Sequence, residues 1–136
     1  AASVICKEFT VPEISQTVIC TRFEGRTPVP ELEQIHLLAA HKTSMAIFLS
    51  VGMMDKLVLE LTKHYDPKTP VVVVEKATWP EERVVSGTLA TIAQKVAEAS
   101  ITKTAMILVG DFLGKDFNYS KLYASDFTHE YRNAKD

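Results

Sequence analysis

Val71-Val72-Val73-Val74, set between Pro70 and Glu75-Lys76, is apolar at every position and built from a residue that favours extended chain. A strand with one wet face alternates apolar and polar residues, so a run without a polar position is buried on both faces. Two further runs share the pattern: Met45-Ala46-Ile47-Phe48-Leu49 and Ala105-Met106-Ile107-Leu108-Val109. Three such strands imply an internal sheet whose two faces are both covered by helices. Thr17-Val18-Ile19-Cys20-Thr21 is a fourth candidate strand. Glu82-Arg83-Val84-Val85-Ser86 is a fifth, shorter and more polar, which places it near an edge.

The segments between these runs carry a 3.6-residue period. Leu32, Ile35, Leu38 and Ala39 share a helical face, after Pro28 and Pro30 and with Glu31 and Glu33 in the first turn. Val51, Met54, Leu57, Val58 and Leu61 form a second stripe, entered at Ser50 and stopped by Asp66-Pro67. Leu89, Ile92, Ala93 and Val96 form a third, with Thr88 placed to cap it. Only residues 77–81, with Trp79-Pro80, join two strands without a helix. The predicted fold is therefore α/β: a mixed, largely parallel five-stranded sheet with helices on both faces.

At 136 residues, with 46% apolar and 24% charged residues, the chain suits one ordinary domain, residues 1–136. Fifteen Lys and Arg against seventeen Asp and Glu give a net charge of −2, which provides no field for nucleic acid or an anionic membrane. Apolar runs stop at five residues, against roughly 18 for a membrane span. Residues 1–6 lack a basic start followed by an apolar stretch, so no signal peptide is read there. Two cysteines, Cys6 and Cys20, lie among apolar neighbours, which fits a reduced cytoplasmic protein and, for Cys20, a buried, inert thiol. Beyond Gly110 the chain turns aromatic, with Phe112, Phe117, Tyr119, Tyr123, Phe127 and Tyr131, as in a tail packing on a surface or a partner.

In a parallel sheet, ligands collect outside the carboxyl ends of the strands. The first strand runs into Arg22-Phe23-Glu24-Gly25-Arg26-Thr27-Pro28, the second into Ser50-Val51-Gly52 and the third into Lys76-Ala77-Thr78-Trp79. If these strands are parallel, Arg22, Arg26 and Lys76 stand on one rim. Two guanidinium forks and an ammonium there suit a ligand with several carboxylates or phosphates. The alternative is that Arg22 pairs with Glu24 or Glu75 and Lys76 is simply solvated. Other chemistry is weakly signalled. His36 and His41 are five apart, off any common helical face, and nothing completes a metal site with them. No glycine-rich phosphate loop, GxSxG elbow or CxxC pair is present.

The rim segments carry a resemblance. Thr21-Arg22-Phe23-Glu24-Gly25-Arg26-Thr27-Pro28 resembles the opening of the C-terminal domain of precorrin-4 C(11)-methyltransferases, within the tetrapyrrole methylase family of cobalamin biosynthesis. It continues through Ala46-Ile47-Phe48-Leu49-Ser50, Lys76-Ala77-Thr78-Trp79-Pro80-Glu81-Glu82-Arg83-Val84-Val85 and Lys103-Thr104-Ala105-Met106-Ile107-Leu108-Val109-Gly110. It closes with Ser120-Lys121-Leu122-Tyr123 and Phe127-Thr128-His129. That family has two α/β domains. The Gly-Pro-Gly-Asp-like opening and Gly-Asp-Pro-x-x-Tyr-Gly loop of its N-terminal domain are not in these residues, and residues 1–7 resemble the end of the connecting helix. The expectation is a C-terminal half without its N-terminal domain. Cys20 stands for a usual aliphatic residue, and His129-Glu130 for a usual His-Gly.

The resemblance implies S-adenosylmethionine as methyl donor, held by the backbone at Leu49 and at Ala77. It implies a macrocycle fringed with acetates and propionates, precorrin-4 or cobalt-precorrin-4, as substrate, with Arg22, Glu24, Arg26 and Lys76 on the trough wall. The reaction it implies is methylation of ring carbon 11, needing positioning and water exclusion but no named catalytic base. It also implies a homodimer, while the residues themselves offer no metal-ligand set. The other class of reading is a stand-alone α/β ligand-binding or interaction module without enzymatic activity.

Overall fold

A computed structural model describes residues 1–114. Five strands, β1 (Val18–Arg22), β2 (Ser44–Phe48), β3 (Pro70–Glu75), β4 (Arg83–Thr88) and β5 (Ala105–Val109), form one sheet in the order β1-β2-β5-β3-β4. Three α-helices, α1 (Ile35–Ala39), α2 (Met54–Leu61) and α3 (Ile92–Glu98), connect β1 to β2, β2 to β3 and β4 to β5. The mixed five-stranded sheet and the element order agree with the sequence reading, and β4 lies at an edge as its polarity indicates.

Two expectations need correction. The sheet is not largely parallel by pairing. β1 and β2 pair in parallel, but β5 inserts antiparallel between β2 and β3, and β3–β4 is antiparallel. Among the described residues, α-helices also do not cover both faces. Side chains of α1, α2 and α3 join one cluster with Met45, Ile47, Val71, Val73, Ile107 and Val109. The opposite face, through Ala46, Leu108 and Val72, packs against Ile5, Phe9 and Val11 of the N-terminal segment and against Phe112 and Leu113 of a 3-10 turn at Asp111–Leu113. The right-handed crossover rule explains this arrangement. From β4 to β5 the chain reverses both its strand direction and its lateral step, so α3 returns to the face already holding α1 and α2.

Local departures have local causes. Leu32 is exposed because Gln34, with ψ 137°, separates a 3-10 turn at Glu31–Glu33 from α1 and breaks the helical period. Thr88 ends β4 rather than capping α3; its N–H donates to Thr91 Oγ1. Residues 2–6 form a turn, with Lys7 N–H donating to the Ala2 carbonyl, in place of the expected helix end. Cys20, on edge strand β1, is exposed rather than buried and is not among the residues of the apolar cluster formed by the N-terminal segment. The aromatic residues from Phe117 onward, and the resemblance at Ser120 to Tyr123 and around His129, lie outside the described residues.

Candidate functional site

β1, β2 and β3 point the same way even though β5 intervenes, so their carboxyl ends share one rim. The antiparallel β5 brings its N-terminal end to that rim as well. Between the ends of β2 and β3 lies a cleft of about 410 Å³ lined by Phe48, Leu49, Lys76, Ala77, Trp79 and the approach to β5, including Thr102, Thr104 and Met106. Next to it, a cleft of about 360 Å³ is lined by Arg22, Arg26, Thr27, Met53, Leu49, Gly52 and Thr102. Leu49, Gly52 and Thr102 border both, so the two form adjoining parts of one concave rim.

The backbone of this rim is strained. Leu49, Lys76, Thr78 and Thr104 have φ of 55°, 46°, 70° and 55°, a left-handed region that costs a non-glycine residue about 1–2 kcal/mol. They are four of the eight non-glycine residues with positive φ among the described residues, and such strain concentrates where backbone geometry serves a ligand. The Lys76 N–H donates to the Thr104 carbonyl at 2.8 Å, tying the β3 exit to the β5 entry. Thr78 N–H donates to Glu82 Oε2 at 2.6 Å, which closes the turn behind Trp79. Leu49 and Ala77 make no hydrogen bond among the described residues, so their peptide groups are free at the cleft. Phe48 and Trp79 are partly exposed beside them, and Leu49 is 80% exposed. Free peptide groups against an apolar wall suit a flat ligand whose edges carry hydrogen-bonding groups.

The charged residues separate. Arg22 does not pair with Glu24 or Glu75. Its guanidinium donates to the carbonyls of Thr27 at 3.1 Å and Pro28 at 2.7 Å. Glu75 instead accepts from Arg83 Nε at 2.6 Å, and this hydrogen bond, with the charges of Arg83 and Lys76, holds its carboxyl below the usual carboxylate range. Arg26 is exposed and has no protein partner among the described residues. Lys76 borders the Leu49–Ala77 cleft and Arg26 the adjoining one, with Leu49 between them. Glu24 is not brought to either. It lines a separate depression of about 290 Å³ with Phe23, His36, Lys56 and Glu60, where His36 Nδ1 lies 3.6 Å from Glu60.

Three contributors were missed in the sequence. Ser50 is buried, and its hydroxyl accepts the Phe23 N–H at 2.8 Å and donates to the Phe48 carbonyl at 2.7 Å, fastening the exits of β1 and β2 together. The loop before β5 was missed because a parallel reading searches carboxyl ends only. Gly25 lies so near Met53 that an added Cβ would meet its Cε at 3.2 Å, packing the loop of residues 23–28 onto the start of α2.

Residues 1–93 match the family model for tetrapyrrole (corrin/porphyrin) methylases. The chain belongs to the tetrapyrrole methylase family. Among relatives, this methylase chain is 54% identical over 129 residues to a cobalt-precorrin-4 C(11)-methyltransferase of Methanocaldococcus jannaschii, covering 93% of this chain and 50% of that protein. It is 43% identical over 132 residues to a precorrin-4 C(11)-methyltransferase of Pseudomonas aeruginosa, covering 96% and 53% respectively. The X-ray structure of a cobalt precorrin-4 methyltransferase superposes with a TM-score of 0.82 at 44% identity, over 84% of this chain and 48% of that one. The chain spans about half the length of the curated relatives it matches. No helix among the described residues of this methylase domain is long and apolar enough to cross a membrane.

Proposed function

We propose that the chain is the C-terminal half of a two-domain methyltransferase that methylates carbon 11 of precorrin-4 or cobalt-precorrin-4 in cobalamin biosynthesis. The observation that carries this reading is the rim itself: peptide groups of Leu49 and Ala77 beside an apolar wall, adjoining Arg26, all without a hydrogen-bond partner among the described residues. S-adenosylmethionine, when bound, supplies an electrophilic methyl group on its sulfonium. The peptide groups of Leu49 and Ala77 would hold that donor, and Phe48 and Trp79 would exclude water from its side of the cleft. Arg26 and Lys76 would hold the acetate and propionate groups of the macrocycle, Arg26 through a planar two-pronged donor and Lys76 as a point charge. Positioning and desolvation supply the rate enhancement, so no side chain is assigned as a base.

Supporting a homodimer, Leu32, Leu37 and Leu59 leave apolar side chains exposed on the 3-10 turn at Glu31–Glu33, α1 and α2, where a partner could cover them. Supporting a reducing, cytoplasmic setting, Cys6 and Cys20 are both free thiols. The test is transfer of a labelled methyl group to precorrin-4 and to cobalt-precorrin-4. It compares the chain alone with the gene product that carries it together with the sequence upstream of Ala1. Transfer by the longer product, with the chain alone inactive and binding S-adenosylmethionine only weakly, is the expected result. Low-micromolar binding or turnover by the chain alone would refute the two-domain reading.

A further inference from the structure

The geometry points to Arg22 as a positioning residue rather than a ligand: its guanidinium clamps the loop of residues 23–28 so that Arg26 projects into the rim cleft. This rests on the function proposed above, and goes beyond it by assigning the two arginines of one motif different tasks. Arg22 is the last residue of β1, paired in register with Phe48, and its Cα position is fixed by the sheet. From there its fork reaches forward along its own chain to two successive carbonyls, Thr27 and Pro28. Carbonyls five and six residues ahead can meet one guanidinium only if the intervening chain folds back as a closed loop. The planar fork donates from two nitrogens held at a fixed spacing, whereas all donors of an ammonium leave one nitrogen and meet the two carbonyls less well.

The loop is fastened at two other points. The buried Ser50 hydroxyl holds Phe23 N–H at its start, and Gly25 packs against Met53 in its middle. Arg22 fastens the loop on the far side of Arg26, at Thr27 and Pro28. Pro28 cannot donate a backbone hydrogen bond and Thr27 N–H makes none among the described residues, where the far side of the loop is held at its carbonyls alone. Arg26, between the Gly25 contact and the clamp, has no protein partner among the described residues. Its guanidinium is available to a carboxylate, and its position depends on the clamp.

Two measurements test the assignment. The first uses the chain as it stands. Trypsin cleaves after Arg26 only when residues around the Arg26–Thr27 bond leave the folded loop. Arg22→Lys keeps the charge but loses the fork, and should raise the cleavage rate at that bond about tenfold or more, with the fold intact by circular dichroism. Unchanged cleavage overturns the clamp, whatever the protein's function. The second is a double-mutant cycle on Arg22→Lys and Arg26→Ala in the longer gene product, read as tetrapyrrole affinity. If Arg22 acts through Arg26, Arg22→Lys alone should weaken binding about tenfold, yet add less than about twofold once Arg26 is alanine, while S-adenosylmethionine affinity stays within about twofold. Additive losses would mean that Arg22 touches the macrocycle itself, and would overturn its positioning role. Faster cleavage in a protein that binds no tetrapyrrole would instead remove the proposed function, and with it the ligand half of this assignment, leaving the clamp.

Discussion

Replacing Ser50 with alanine probes the joint on which the rim is built. Ser50 is 0% exposed, and its hydroxyl makes two hydrogen bonds, from Phe23 N–H at 2.8 Å and to the Phe48 carbonyl at 2.7 Å. Each bond is worth about 1 kcal/mol net, and stranding a buried partner costs about 1–3 kcal/mol. Phe48 is partly exposed, so water can replace the serine at its carbonyl, and Phe23 N–H is the group left short. The expected loss is therefore about 2 kcal/mol, a fall of about 1 M in urea midpoint with an unchanged slope. Thr62→Val is the internal control. The Thr62 hydroxyl donates to the Val58 carbonyl at 2.9 Å, but that carbonyl already accepts the Thr62 N–H. Removing the hydroxyl strands nothing, and the expected cost is below about 0.5 kcal/mol. Urea unfolding followed by far-ultraviolet circular dichroism measures both. Equal losses in the two variants, or a Ser50→Ala protein within about 0.5 kcal/mol of the parent, would refute the assignment of Ser50 as the joint.

Arg26→Ala in the longer gene product should raise the tetrapyrrole dissociation constant about tenfold to a hundredfold, and Arg26→Lys should recover part of that, since one charge-assisted contact is worth about 1.5–3 kcal/mol. Equilibrium titration of folded variants decides it, and equal affinity in all three forms would leave Arg26 without a role. Glu75 has its folded carboxyl held low by Arg83, so its contribution to stability is fully present above its unfolded value near 4.5 and is lost as pH falls through the lower folded value. Glu75→Gln should accordingly flatten the acid limb of a urea-midpoint profile below about pH 5, and a parallel profile would show that the pair adds nothing. Light scattering at high concentration should give a mass of a dimer or larger, and replacing Leu32 and Leu59 with glutamate should shift it toward the monomer; a parent that is monomeric throughout would exclude that interface.

Strand identity was legible where burial on both faces removed polar residues. The run from Ala105 to Val109 coincides with β5, and the valines at 71–74 lie within β3. Strand order was not legible, because an apolar strand has the same composition whether its neighbours run with it or against it. The placement of β5 depends instead on α3 returning the chain over β3, a tertiary choice. The same ambiguity produced the expectation of helices on both faces. Continuous apolar runs establish that a face is covered, not by what, and here Phe9 and Val11 from the N-terminal segment and Phe112 from a 3-10 turn cover the second face. The rim position of Arg22, Arg26 and Lys76 was legible because each follows a strand exit, whereas Leu49 and Ala77 came only from the resemblance. Ser50 looked like a helix start because its type suits a cap, whereas its hydroxyl is spent on two strand ends.

The inserted strand also accounts for the shape of the site. With β2 and β3 as direct neighbours, their exits would stand one strand spacing apart, about 4.8 Å, too close for a ligand to enter between them. Placing β5 between them doubles that separation, and because β5 runs the other way it contributes an entry rather than a third exit. The cleft between Leu49 and Ala77 therefore has a floor made by the approach to β5, with Thr104 holding the Lys76 N–H from below. The strain at Leu49, Lys76 and Thr104 falls where the chain must turn sharply to leave that floor open. Four left-handed residues at about 1–2 kcal/mol each are a large cost against a domain stability of about 5–15 kcal/mol. The strands beneath, with Met45, Ile47, Val73 and Ile107 each 0% exposed, supply the burial that offsets it. A rim held open in this way by a rigid sheet presents its peptide groups before any ligand arrives, which is the condition under which positioning alone accelerates a reaction between bound groups.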